Sequence, residues 1–231
     1  KGTAKNILTV GAIEDMPNGY HSIKDVEMSP FSNWGPTDDG RIKPDICANG
    51  MALLSSIATN DSSYATYWGT SMSAPNITGS LALLQEYYCQ NNQNYMKAAT
   101  LKALIINTSD EAGEDEGPDY SFGWGIMNTE KAVKLIENDQ TNPLIFEETL
   151  REDELYTYKF TATQSKINIT LAWTDPPGPI LQRKVDNDKK VLINDLDCRI
   201  VGNNEEILPW ILYKDNPSAA ASQGDNDRDN V

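Results

Sequence analysis

The sequence predicts an α/β domain followed by an all-β module. Two observations point to the first. A compact box, Gly69-Thr70-Ser71-Met72-Ser73-Ala74-Pro75, opens an apolar run in which Ile77, Leu81, Leu84 and Tyr88 fall on one helix face. A short apolar, strand-like run, Ile7–Ala12, lies upstream of it among turn signals. A third observation points to the second module: beyond residue 144 the apolar period shifts from helical to alternating.

The chain has 231 residues, 39% of them hydrophobic, enough for one large or two modest domains with a real core. No apolar run approaches the length of a membrane span. The net charge of −15 disfavours nucleic acid and anionic membranes as partners. It is compatible with simple solubility or with calcium–carboxylate chemistry. Cys47, Cys89 and Cys198 are odd in number and widely spaced, which argues against a disulfide framework or a cysteine metal site. Lys1-Gly2-Thr3 leads straight into Ile7-Leu8-Thr9-Val10 with no leader, so the start reads as the middle of a longer chain.

Ile7–Ala12 reads as a buried strand. Glu14–Met28 is polar, holds Pro17, Asn18-Gly19 and the single histidine, His21, and reads as a loop or hairpin excursion. Gly35-Pro36 and Asp39-Gly40 are turns. Pro75 falls near the first turn of the central helix, where its missing N–H costs nothing. Ser71 therefore sits at or just before a helix N-terminus, among free backbone N–H groups and the positive end of the dipole. Two readings of Ser71 follow from spacing alone. It is a helix cap, a role that suits serine. Or it is a nucleophile whose developing oxyanion is met by fixed donors, its own N–H among them. Lys97–Asn107 predicts a second helix with Leu101, Leu104 and Ile105 inward. Asp110–Pro118 is an acidic loop, and Asn128–Glu137 is a closing helix carrying Ala132, Val133 and Ile136. Asp139–Pro143 is a linker. Leu155–Phe160, then Ile167, Ile169, Leu171 and Trp173, then Leu196, Cys198 and Ile200 alternate as strands of a sandwich or jelly roll. The expected division is 1–138 and 144–231.

Gly69–Pro75 resembles the serine box of the subtilases, the subtilisin-like serine proteases. Thr3–Ala12 and Phe31–Gly50 resemble further segments of that family, and Ser121-Phe122-Gly123-Trp124-Gly125 resembles its Gly-aromatic-Gly turn. Asn76 departs where well-known members carry His, and Asn49 where Pro is usual. Gly79 sits where the family keeps a small residue for close helix packing. The resemblance implies a three-layer, parallel-sheet peptidase domain of which residues 1–138 form the C-terminal part. Ala172–Gly178 and Ile193–Asp197 resemble the C-terminal β-barrel of one branch, the oxidatively stable alkaline proteases of bacilli. That implies a jelly-roll module, incomplete at its end.

A serine hydroxyl needs a general base, and the base needs an orienting carboxylate. In the family the order along the chain is Asp, His, Ser. His21 follows Asn18-Gly19-Tyr20 in a polar excursion and reads as a loop histidine. Asp39, Asp45 and Asp61 lack the apolar strand flank of a triad carboxylate, and Asp45 reads as structural. The resemblance therefore implies that Ser71 is the nucleophile, that its backbone N–H serves the oxyanion hole, and that base and orienter lie upstream of residue 1. Trp68, Gly69 and Thr70 are substrate-pocket candidates; Tyr67 and Trp68 read equally as packing aromatics. Met72 either packs in the core or lines the site, where sulfoxide formation would crowd Ser71. Asp195, Asp197 and Asp227 are candidate ligands of a structural calcium, or solvated acids. No cofactor is expected for catalysis.

These features together predict the nucleophile half of a secreted or cell-surface serine endopeptidase acting on proteins or peptides. Alone it should be silent, and because a parallel sheet lacking strands exposes apolar edges, it should either need a partner, for which the missing N-terminal half of the same protease is the candidate, or be poorly stable. The rival expectation is an inactive subtilase scaffold whose β-module binds a protein or a cell-surface partner.

Overall fold

The computed structural model describes residues 2–162, 166–180, 184–202 and 205–231. Its centre is a parallel pair, β1 (Val10–Ile13) and β2 (Ile46–Asn49), in register Val10 with Ile46 through Ile13 with Asn49. Residues 125–127 extend the pair on the far side of β2: the Cys47 N–H donates to the Gly125 carbonyl at 2.9 Å, and the Met127 N–H to the Cys47 carbonyl at 3.2 Å. Strand alternation sends Ile46 and Ala48 to one face and Cys47 to the other. The first face packs against Ile77 and Leu84 of α1 (Thr70–Asn92), Leu104 and Ile105 of α2 (Ala98–Asn107) and Ala132 and Ile136 of α3 (Thr129–Asp139). The second face carries a smaller cluster of Ile13, Cys47, Ala112 and Ile126, covered by Met16, Tyr20, Val26, Met28 and Phe122. Burial and the Asp119 charge push the Cys47 thiol up to about 12, so this sulfur is an inert core atom.

The first strand starts three residues later than the apolar run suggests, because Asp45 takes the Thr9 N–H at 2.6 Å and turns the preceding segment away. The polar excursion holds one short 3₁₀ turn, Ile23–Asp25, capped by Ser22. β3 (Leu53–Ser56) and β4 (Tyr64–Tyr67) form an antiparallel hairpin that delivers the chain to Gly69. Asn49 makes the bend after β2: its Oδ1 accepts the Met51 N–H at 2.7 Å and its Nδ2 reaches Asp15 at 2.7 Å.

Past α3, the described residues form two small antiparallel ribbons, β5 (Ile200–Gly202) with β6 (Glu205–Ile207) and β7 (Trp210–Ile211) with β8 (Ser222–Gln223). The alternating segments 155–160 and 167–173 have no ladder partner among the described residues. Alternation marks which side of a strand is apolar, whereas a ladder needs a neighbouring strand. Segment 167–175 is instead tied sideways to Lys5, Asn6 and Asn107. Asn107 donates to the Asn168 carbonyl and to Thr170 Oγ1, both at 3.1 Å. Asn6 exchanges two hydrogen bonds with the Asp175 backbone, at 2.8 and 2.9 Å. Lys5 pairs with the buried Asp175 carboxylate.

A buried charge cluster closes this junction. Asp45 pairs with Lys43 at 2.5 Å and Lys102 at 2.9 Å, and all three side chains are buried. Beside it Arg41 Nε meets Asp39 at 2.8 Å. Burial alone would raise the Asp39 carboxyl, but hydrogen bonds from Arg41 and Thr37 outweigh it and hold the group low. Asp229 enters from the far end of the chain and accepts the Ile42 N–H at 3.0 Å, while Arg228 donates to the Asp39 carbonyl. Burial pushes the Asp229 carboxyl up to about 7, partly offset by Ile42, Lys102 and Arg41.

A pH dependence follows. The folded chain holds a proton on Asp229 that the unfolded chain has released above about pH 4. Stability should therefore fall as pH rises from about 4 to about 7, by up to about 4 kcal/mol, and level off beyond. Urea unfolding at pH 5 and pH 8 checks this. The Asp229→Asn variant keeps the Ile42 bond and should lose that share of the pH slope; an unchanged slope would refute the assignment.

Candidate active site

Ser71 is the second residue of α1, and the N-cap is Gly69, which makes no side-chain cap. Ser71 is thus not the helix cap. Its hydroxyl is exposed and meets no hydrogen-bond partner among the described residues, and its N–H finds no acceptor there. That N–H is one of the orphan donors every helix start presents. The helix start lies over the C-terminal ends of β1 and β2, where open α/β sheets place their ligands.

Local geometry explains why glycine opens the box. Gly69 has φ +141°, a conformation side chains rarely adopt, and its N–H donates to the Gly50 carbonyl at 2.8 Å. The Gly50 N–H in turn donates to the Ile13 carbonyl at 3.1 Å. A Cβ on Gly50 would stand 2.6 Å from that of Ala12. The ends of β1 and β2, the Gly50 bend and the start of α1 are therefore stitched together by main chain. Thr70 is half-buried, whereas Trp68 is 66% exposed and Tyr67 48%. The pocket candidates Trp68, Gly69 and Thr70 thus flank Ser71, with both aromatics turned outward. Met72 is half-buried beside the site.

Pro75 lies inside the helix as its sixth residue, one turn later than the sequence suggests. The N–H it lacks is the one that would bond the Ser71 carbonyl. Gly79 is exposed, and a Cβ there would meet nothing within 4 Å, so no close packing involves it among the described residues. The same outer face of α1 carries Leu83, 63% exposed, and the hairpin shows Leu54 and Tyr64 at 70% and 66%.

Among the described residues no base reaches Ser71. His21 is a surface residue whose nearest acid is Asp25, at 4.0 Å. Asp45 is committed to its lysines, the structural role its sequence context implies.

The carboxylates proposed for a cation do not assemble as one set. Asp227 pairs with Lys190 and faces Arg228 at 3.6 Å. Asp197 shares a hydrogen bond with Asp225, which, with burial and the Asp195 charge, raises its pKa. Among the described residues no three His, Cys, Asp or Glu side chains gather as a metal site. The three cysteines are free.

The model of the family described as Subtilase family matches residues 1–125. The chain is 44% identical over 139 residues to a C5a peptidase of Streptococcus pyogenes, covering 57% of this chain and 12% of that protein. It is 33% identical over 144 residues to the serine protease AprX of Bacillus subtilis, covering 57% and 30%. A Dictyostelium discoideum serine protease/ABC transporter B family protein, tagA, is 28% identical over 207 residues, covering 75% and 11%. Among solved structures, the Clostridium perfringens CspB protease superposes with a TM-score of 0.48 at 26% identity, covering 59% of this chain and 28% of that one. The chain thus spans a small part of the curated relatives it matches. No helix of the described residues is long and apolar enough to cross a membrane.

Proposed function

The chain belongs to the subtilase family, and on that premise we propose that it carries the nucleophile of a serine endopeptidase whose base and orienting carboxylate lie outside these 231 residues. The observation that carries this is the state of Ser71: an exposed hydroxyl on the second residue of a helix, which, like its own N–H, has no hydrogen-bond partner among the described residues. In the reaction Ser71 Oγ attacks the scissile carbonyl and gives its proton to a histidine supplied by the rest of the protease. The carbonyl oxygen becomes an oxyanion, held by the Ser71 N–H and by an amide from elsewhere. The amine leaves with the proton the base had taken, and water then releases the acyl group from Ser71. Such a nucleophile needs no metal at the breaking bond. Trp68, Gly69 and Thr70 border the substrate path, and the substrates are proteins or peptides.

The reading places the peptidase domain's C-terminal part at 1–138 and a β-sandwich at 144–231, in a secreted or cell-surface protein. The outward Leu54, Tyr64, Trp68 and Leu83 support a covering N-terminal half. Calcium enters only as a structural ion, and with Asp227 paired to Lys190 no role is assigned to it.

Intact mass before and after a fluorophosphonate probe tests the proposal. The 231-residue chain alone should take no adduct, and the protease that contains it should take one, on Ser71. A whole protease that stays unlabelled would overturn the peptidase reading in favour of an inactive scaffold. Labelling of the isolated chain would overturn the missing-half part.

A further inference from the structure

Ser73 is two residues past the nucleophile and fully buried, yet it is a polar side chain. Its Oγ lies 2.6 Å from the Gly11 carbonyl of β1 and 2.9 Å from the Ala48 carbonyl of β2. A hydroxyl has one proton, so the bond is shared between the two acceptors or alternates between them. Either way it spans adjacent strands of the parallel pair, whose register sets Ala12 against Ala48.

The turn Ser73 anchors is weakly held along its own axis. Met72 and Ser73 both donate to the one Gly69 carbonyl, at 2.9 and 3.3 Å. Two residues on, Pro75 has no N–H, leaving the Ser71 carbonyl without its helical donor. The turn that bears the nucleophile therefore depends on sideways attachment to the sheet, and Ser73 is the side chain that supplies it.

We propose that Ser73 is a positioning residue for Ser71: its hydroxyl fixes the first turn of α1 on the β1 and β2 carbonyls and so fixes where Ser71 Oγ and N–H stand relative to the bond to be cleaved. The proposal rests on the peptidase reading above. Ser73 touches no substrate; it acts through the backbone of residues 71–73.

Two measurements on Ser73→Ala test it. In the whole protease, hydrogen exchange of the Met72 and Ser73 amides should speed up about tenfold. The amides of residues 80–86 should stay as in the parent. In the whole protease, kcat should fall about tenfold to a hundredfold with KM unchanged, the signature of a misplaced nucleophile. Loss of packing alone would lower the melting point and leave kcat intact well below it. Unchanged first-turn exchange overturns the proposal, as does unchanged kcat in a protease that labels at Ser71. If the whole protease does not label, the peptidase reading fails by itself, and the exchange comparison still decides whether Ser73 holds the turn. Should alanine prevent folding, Ser73→Thr keeps the hydroxyl and should leave the same amides as slow as in the parent, whereas Ser73→Cys, slightly larger and only a weak donor, should loosen them.

Discussion

Replacing Ser71 by alanine in the whole protease is expected to cut turnover on the order of 10⁶-fold, the loss that follows removal of a triad serine. Little else should change. Ser71 is exposed, its hydroxyl holds no partner among the described residues, and Gly69 rather than Ser71 closes the helix start. Alanine is the best helix former, so the second helical position accepts it readily. The variant should melt within about 0.5 kcal/mol of the parent, as exposed substitutions away from special features do. It should take no fluorophosphonate. Turnover by burst-titrated enzyme, read beside a thermal melt, checks both halves. A variant that keeps a tenth of the activity would mean another group is the nucleophile.

Asp45→Asn is the substitution expected to harm the fold most. The Asp45 carboxylate takes the Thr9 N–H at 2.6 Å, Lys43 at 2.5 Å and Lys102 at 2.9 Å, and it is 2% exposed. An asparagine keeps the shape and one acceptor but leaves two buried ammonium groups facing an amide. Breaking a buried pair from one side costs about 3–5 kcal/mol, because the remaining charge is uncompensated. Domains of this kind have about 5–15 kcal/mol to lose. Burial already pushes the Lys43 ammonium down, with the Asp45 charge opposing it. Without Asp45, Lys43 would shed its proton more easily when folded than when unfolded. The variant should therefore regain stability as pH rises toward the ordinary lysine range. Urea midpoints for both chains at pH 7 and pH 9.5 measure this. A loss under 1 kcal/mol would mean that water reaches these lysines and the cluster is not sealed.

Much of this was legible in the residues. The glycine-led box placed Ser71 at a helix start because only glycine suits the backbone at 69 and because the apolar spacing after it is unambiguous. The structural reading of Asp45 followed from its lack of an apolar strand flank. What the sequence hid is of two kinds. Pro75 reads as a first-turn residue because the helix is counted from its apolar face, while the backbone begins at Thr70, before that face does. The charge cluster joins residues 39–45, 102 and 229, and no local pattern links positions so far apart. Ser73, likewise, is an unremarked member of the box until its contacts with the Gly11 and Ala48 carbonyls are seen. The strands expected at 155–160 and 167–173 show the limit of alternation as a signal, since it reports faces and not neighbours.

The meeting of distant residues bears on how the chain acquires its shape. Asn230 donates to Asn6 across 224 positions and Asp229 receives Ile42 across 187. Such closures come late, since long loops cost entropy before any contact repays it. At ribosomal rates of about 5–20 residues per second, Lys102 waits on the order of ten seconds before Asp229 exists. During that interval one wall of the lysine cluster is open to water. A nascent chain halted short of residue 229 would keep it open, and quality-control proteases would meet a wet, charged cleft where the finished molecule has a seal.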